Sequence, residues 1–73
     1  MLVEKVVKIE GMSCMGCAKS VENALKSLEG VERVEVSLEE GSAKVTYDDE
    51  KISIEEISEK IEKIGYRFAG VIE

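Results

Sequence analysis

The sequence contains no histidine and no proline, and its 73 residues include only two cysteines, Cys14 and Cys17. Without histidine, no imidazole is available to complete a metal site around the two thiols. Without proline, the chain lacks the cis-proline that characteristically faces the dithiol of thioredoxin-like enzymes, whose folds also need a longer chain. These absences leave a dithiol with no third strong ligand, and they make a redox protein the weaker alternative.

Long apolar runs and basic stretches are also missing. No segment approaches the about 18 apolar residues of a membrane-spanning helix, and charges interrupt residues 1–8 too often for the core of a signal peptide. The net charge of −6, without any basic stretch rich in aromatic residues, argues against nucleic acid as a partner. We expect one cytoplasmic domain, residues 1–73, with no direct membrane insertion.

The dithiol itself favours a soft metal ion. Structural zinc normally takes four protein ligands, so two thiolates alone leave Zn(II) with an incomplete shell. Thiolates select soft ions such as Cu(I), with Hg(II) and Cd(II) as chemical relatives. An ion held by two ligands also leaves room for an incoming ligand. The residues therefore predict a Cu(I) site suited to transfer, with zinc, cadmium or mercury as alternatives.

Residue periodicity predicts six elements. β-Branched and alternating apolar residues favour strands, and apolar residues at helical spacing favour two helices, the second capped by Ser53 with Glu56 three residues later. The predicted elements are strand Val3–Ile9, helix Met15 to about Leu28, a hairpin of Val34–Leu38 and Ala43–Tyr47, a helix from Ser53, and a strand around Arg67–Ile72. This order predicts an α+β, ferredoxin-like βαββαβ open-faced sandwich, with both helices on one face of a four-stranded antiparallel sheet.

This layout places the cysteines at the start of the first helix. Cys14 falls in the loop after the first strand, and Cys17 falls in the first helical turn. Unpaired amide N–H groups and the positive end of the helix dipole favour thiolate there, so we expect lowered thiol pKa values. Gly11 and Gly16 fit a loop that bends tightly or approaches the ion closely, although ordinary turn glycines would fit equally well.

The segment Gly11-Met12-Ser13-Cys14-Met15-Gly16-Cys17 resembles the Gly-Met-x-Cys-x-x-Cys signature of the heavy-metal-associated domain family. That family includes small copper chaperones and the N-terminal domains of copper-transporting P-type ATPases. Leu28-Glu29-Gly30-Val31 is similar to the family's Leu-x-Gly-Val helix exit, and Ile61-Glu62-Lys63-Ile64-Gly65-Tyr66 is similar to its Ile-x-x-x-Gly-Tyr ending. The resemblance spans essentially residues 3–72.

The resemblance implies roles for individual residues. Cys14 and Cys17 match the family's metal ligands. Met12 matches a methionine that packs beneath the loop, and Tyr66 matches a loop residue near the metal, although a packed aromatic at the start of a strand is an equal alternative.

Ser13 stands where zinc-preferring relatives often have aspartate, which favours copper. Met15, between the cysteines, matches an exposed variable position rather than a third ligand, and Gly16 belongs to the same loop.

The implied function is that of a Cu(I)-binding metallochaperone. Cu(I) on Cys14 and Cys17 would pass by thiolate exchange to a partner such as a copper-transporting P-type ATPase or its metal-binding domain, so we do not expect an enzyme. A strand soon after Met1 favours a free chaperone, and an excised N-terminal ATPase domain is the alternative. An interaction domain with incidental cysteines is a third and weaker alternative. We expect the protein to be a monomer without copper. The sequence leaves open whether copper bridges two copies into a dimer.

Overall fold

The computed structural model describes residues 1–72 as four strands and two helices in the predicted order βαββαβ. The strands pair antiparallel in the order β2-β3-β1-β4, so β1 and β3 occupy the centre of the sheet. This arrangement confirms the predicted ferredoxin-like fold. The elements are β1 (Leu2–Glu10), α1 (Met15–Lys26), β2 (Val31–Ser37), β3 (Ser42–Asp48), α2 (Ile54–Lys63) and β4 (Arg67–Val71).

One face of the sheet and one stripe of each helix form a single apolar core. Alternate residues of the strands point into it because side chains in a strand alternate between faces. The helices contribute residues at a spacing of three and four, which lie on one helix face. The core includes Val7, Ile9, Val34, Ala43 and Val45 from the strands and Val21, Leu25, Ile57 and Ile61 from the helices. The predicted apolar stripes of both helices are therefore confirmed.

The second helix begins and ends as its sequence indicates. The Ser53 hydroxyl accepts a hydrogen bond from the Glu56 amide at 3.3 Å, which confirms the predicted N-cap. At the other end, the Gly65 amide donates to the Glu62 carbonyl at 3.1 Å. Gly65 has φ of +97°, a value that glycine adopts without strain. The chain therefore leaves α2 through a tight left-handed turn into β4.

Two element boundaries differ from the sequence predictions by two residues or more. Helix α1 ends at Lys26, two residues before Leu28, which packs half-buried against the core beyond the helix. Strand β2 begins at Val31 rather than Val34, because Val31 and Arg33 pair with β3 across an irregularity in register. Neither α1 nor α2 is long and apolar enough to cross a membrane.

The topology gathers three connections at one end of the sheet. Strand β1 ends at Glu10, which pairs with Arg67 at the start of β4. The Ile9 amide donates to the Gly41 carbonyl at 2.8 Å, which ties the β2–β3 hairpin to the same end. The loop that leads into α1, the hairpin and the α2–β4 connection therefore surround the start of α1.

Candidate metal centre

The two cysteines lie side by side at the start of α1. Cys14 is the N-cap residue, with extended φ of −156°, and its carbonyl accepts hydrogen bonds from the amides of Cys17 at 3.0 Å and Ala18 at 3.2 Å. The Sγ atoms of Cys14 and Cys17 lie 3.5 Å apart, and both thiols are free. Cys14 is exposed and Cys17 is half-buried. The structure thus brings both predicted ligands together at the surface.

The Cys17 thiol is strongly acidified. Its pKa falls from 9.0 to about 6, first because of the Tyr66 side chain, then because of the backbone of Ser13 and the Cys14 side chain. Hydrogen bonds to the charged form of an acid lower its pKa. The sequence predicted a lowered thiol pKa from the helix terminus, whereas the largest cause is a residue near the other end of the chain. Cys17 is therefore ready to bind metal as a thiolate at neutral pH.

Tyr66 forms a wall of the site. Its ring lies against Gly11, where an added Cβ would be 3.6 Å from Tyr66 Cδ1. Gly11 also has φ of +100°, so a residue with a side chain would be strained there. The pKa of Tyr66 is raised, chiefly by its interaction with Cys17 and then by burial. The structure thus places Tyr66 against the metal loop, and its implied role near the metal stays a prediction.

The other predicted site residues surround the dithiol in different ways. Met12 is half-buried and packs against the core, whereas Met15 is 67% exposed. The Ser13 hydroxyl lies 3.9 Å from Cys17 Sγ.

Gly16 lies inside α1 without a positive φ, so the tight loop predicted for Gly11 and Gly16 is found at Gly11 alone. A Cβ at Gly16 would lie 3.6 Å from the Cys14 sulfur.

A second group of possible ligands lies at the opposite end of β1. Within residues 1–72, the carboxylates of Asp48, Asp49 and Glu50 form the one cluster of three or more ligand groups. The ammonium of Met1 lies 2.9, 3.3 and 2.8 Å from these three carboxylates. Oxygen ligands suit hard cations rather than Cu(I). This cluster is therefore satisfied by the chain's own charge and adds nothing to the dithiol.

Glu62 is a residue near the site that sequence reasoning did not single out. Its carboxylate accepts a hydrogen bond from the Phe68 amide at 2.7 Å. Glu62 belongs to the helical segment that precedes Gly65 and Tyr66, but its periodicity shows only an exposed glutamate. The contact depends on the path of the chain after Gly65, so no local pattern predicts it.

Comparisons with known proteins agree with this geometry. The model of the family described as heavy-metal-associated domain matches residues 6–67. The chain is 45% identical over 65 residues to the copper chaperone CopZ of Staphylococcus epidermidis, covering 89% of this chain and 96% of that protein. A copper-binding domain from HMA7, a P-type ATPase, has a TM-score of 0.89 at 32% identity, and oxidised MerP from Ralstonia metallidurans CH34 has 0.94 at 30%, each over 100% of both chains.

Proposed function

This chain belongs to the heavy-metal-associated domain family, and from that premise we propose that it is a Cu(I)-binding metallochaperone. Cys14 and Cys17 hold the ion and release it to a copper-transporting P-type ATPase or its metal-binding domain. The observation that carries the proposal is the pair of free thiols 3.5 Å apart at an exposed helix start. The 45% identity to a copper chaperone supports the choice of copper.

The ligand set supports copper over zinc. Two thiolates satisfy a soft ion of low coordination number, whereas zinc would need further ligands. Within residues 1–72, the dithiol belongs to no cluster of three or more cysteine and carboxylate ligands. Ser13 next to Cys14 supplies a hydroxyl rather than a carboxylate. Zinc binding would therefore require ligands from water or from another molecule.

The proposed transfer is an exchange of thiolates. A thiolate of the partner's Cys-x-x-Cys attacks the ion, one bond to Cys14 or Cys17 breaks, and a second exchange completes the transfer. Each Cu–S bond that breaks is replaced by another, so the ion moves without being released into water. No substrate is chemically changed, so we propose that the protein is not an enzyme and acts in the cytoplasm, where thiols stay reduced.

Two observations help to distinguish a free chaperone from a domain of an ATPase. The alignment covers 96% of the length of a copper chaperone, which supports the chaperone as the first candidate. The similarity to the copper-binding domain of a P-type ATPase keeps the excised ATPase domain as the second candidate. The metal chemistry is the same in both, and we propose a monomer in the absence of copper.

A transfer experiment tests the proposal. The reduced protein loaded with one equivalent of Cu(I) is mixed under anaerobic conditions with an apo metal-binding domain of a copper-transporting ATPase, and the two are separated and assayed for copper. We expect copper to distribute between them within the mixing time, even with a chelator present that captures free Cu(I). Copper that stays with the donor, or that reaches only the chelator, would contradict the chaperone function.

A further inference from the structure

Glu62 holds the chain on both sides of Tyr66. Its backbone carbonyl accepts the Gly65 amide at 3.1 Å, and its carboxylate accepts the Phe68 amide at 2.7 Å. The Tyr66 amide itself donates to the Ile61 carbonyl at 3.2 Å, one residue earlier on α2. The last turn of α2 therefore fixes the backbone immediately before Tyr66, and the Glu62 side chain fixes it two residues after.

Besides its backbone pairing with β1, the start of β4 has few other polar contacts from side chains within residues 1–72. The nearest ion pair joins Arg67 Nε to Glu10 Oε1 at 3.8 Å, and both side chains are more than half exposed. An exposed ion pair of that length contributes little. The Glu62 bond is short and involves a carboxylate, and such charge-assisted bonds are stronger than neutral ones. Within residues 1–72, it is the side-chain hydrogen bond that joins β4 to α2 beside Tyr66.

The position of Tyr66 matters because its side chain contacts both parts of the metal loop. The ring lies against Gly11 at the start of the loop, and the side chain lowers the pKa of Cys17 at its end. A displacement of the α2–β4 connection would carry the ring away from both. The contact is sensitive to backbone position because the connection between α2 and β4 is only three residues long, 64–66.

We propose that Glu62 is a positioning residue of the metal centre, whose carboxylate anchors β4 so that the Tyr66 ring stays against Gly11 in the metal loop. Glu62 touches neither the dithiol nor the ion, and it acts through Tyr66. Its consequence for copper rests on the proposed function, because Tyr66 packs against the loop that carries the proposed Cu(I) ligands Cys14 and Cys17. Loss of the anchor should therefore speed copper release.

The first test uses the apo protein and needs no copper. NMR cross-relaxation between the Tyr66 ring protons and the Gly11 Hα protons is compared in wild type, Glu62→Ala and Glu62→Gln. We expect Glu62→Ala to weaken this contact and Glu62→Gln to retain most of it, because the amide oxygen still accepts the Phe68 bond. Glu59→Ala, which removes an exposed glutamate one turn earlier on α2, is the matched control. An unchanged contact in Glu62→Ala would overturn the proposal, as would equal loss in both Glu62 variants.

The second test measures the rate at which excess chelator removes Cu(I) from the loaded protein. Glu62→Ala should raise this rate by about three- to tenfold, the range that the loss of one hydrogen bond covers. Tyr66→Ala should raise it similarly, and the double variant should not exceed the larger single effect, because both changes remove the contact of the ring with Gly11. Additive effects would show that Glu62 does not act through Tyr66.

The two tests separate this inference from the proposed function. If the wild-type protein binds no copper but Glu62→Ala weakens the contact between Tyr66 and Gly11, the chaperone function is refuted and the anchoring role of Glu62 is supported. If the wild-type protein binds copper, and Glu62→Ala changes neither the Tyr66–Gly11 contact nor the rate of copper release, only the anchoring role of Glu62 is refuted.

Discussion

The ring of Tyr66 lies against Gly11 at the metal loop, and the Tyr66 side chain lowers the pKa of Cys17 to about 6, so a residue close to β4 affects a ligand at the start of α1. The ferredoxin-like topology makes this contact possible, because β1 and β4 are neighbours and their ends meet at the metal loop. The metal centre is therefore built from both ends of the chain, although both proposed ligands lie within four consecutive residues.

Replacement of Tyr66 by phenylalanine should raise the pKa of Cys17 from about 6, because the largest contribution to its lowering disappears. Above that pKa, Cys17 is already a thiolate and Cu(I) displaces no proton from it. Below it, protons compete with Cu(I) for the Cys17 sulfur. Protonation of this residue should then lower the apparent Cu(I) affinity by up to about tenfold for each unit by which the pH falls. In Tyr66→Phe the fall should begin at higher pH.

The titration is best followed by the ¹³Cβ chemical shift of Cys17 in labelled apo protein. Tyr47→Phe, which removes the hydroxyl of a buried tyrosine away from the dithiol, is the control and should leave the midpoint unchanged. An unchanged Cys17 midpoint in Tyr66→Phe would show that the hydroxyl does not stabilise the thiolate.

Replacement of Cys17 by serine should lower Cu(I) affinity by orders of magnitude, because one thiolate cannot replace two. The fold should persist, since Cys17 lies only half-buried at the surface. Chelator competition measures the affinity, and far-UV circular dichroism checks the fold. Ser20→Ala, an exposed change on the same helix, should alter neither. Near-native affinity in Cys17→Ser would refute the ligand assignment.

The two methionines of the metal loop should respond differently to substitution. Met15→Leu should leave Cu(I) affinity within about twofold of wild type, since an apolar swap at an exposed position removes only the thioether. Met12→Ala should lower thermal stability, because Met12 packs against the core. Unfolding midpoints and copper titrations of both variants measure this. A large loss of affinity in Met15→Leu would instead identify its sulfur as a third ligand.

The cap of α2 offers a test of stability that is separate from metal binding. Ser53→Ala removes the acceptor of the Glu56 amide and should cost about 1 kcal/mol, or about 4–8 °C in melting temperature for a domain of this size. Ser58→Ala is the control, because its hydroxyl only donates to the Glu55 carbonyl inside the same helix and alanine favours helix. Copper affinity should be unchanged in both. Equal melting temperatures for both variants would show that the Ser53 cap contributes nothing.

Much of the fold follows from local sequence patterns. The apolar spacing of Ile57 and Ile61 and the Ser53 cap locate α2, and the alternation around Val34 and Val45 locates the hairpin. These signals are local because helix and strand periodicities are properties of a few consecutive residues. The position of the cysteines at the start of α1 follows from the same patterns.

The parts that could not be predicted depend on contacts between distant residues. The extension of β2 back to Val31 arises from pairing with Tyr47, and the anchor at Glu62 depends on the course of β4. The position of Cys17 at a helix start predicted that its pKa would fall. Residue spacing did not point to Tyr66, the main cause of that fall; the family resemblance singled it out, and only as a loop residue near the metal. Sequence patterns thus located the dithiol but not the residues that tune it.

The most direct test of the central claim is an anaerobic competition titration of the reduced protein with Cu(I) against a chromogenic chelator, repeated with Zn(II). We expect one Cu(I) per monomer, bound far more tightly than zinc, and loss of that binding when Cys14 and Cys17 are both replaced by serine. Comparable or tighter zinc binding, or the absence of stoichiometric copper binding, would contradict the assignment of this dithiol to copper.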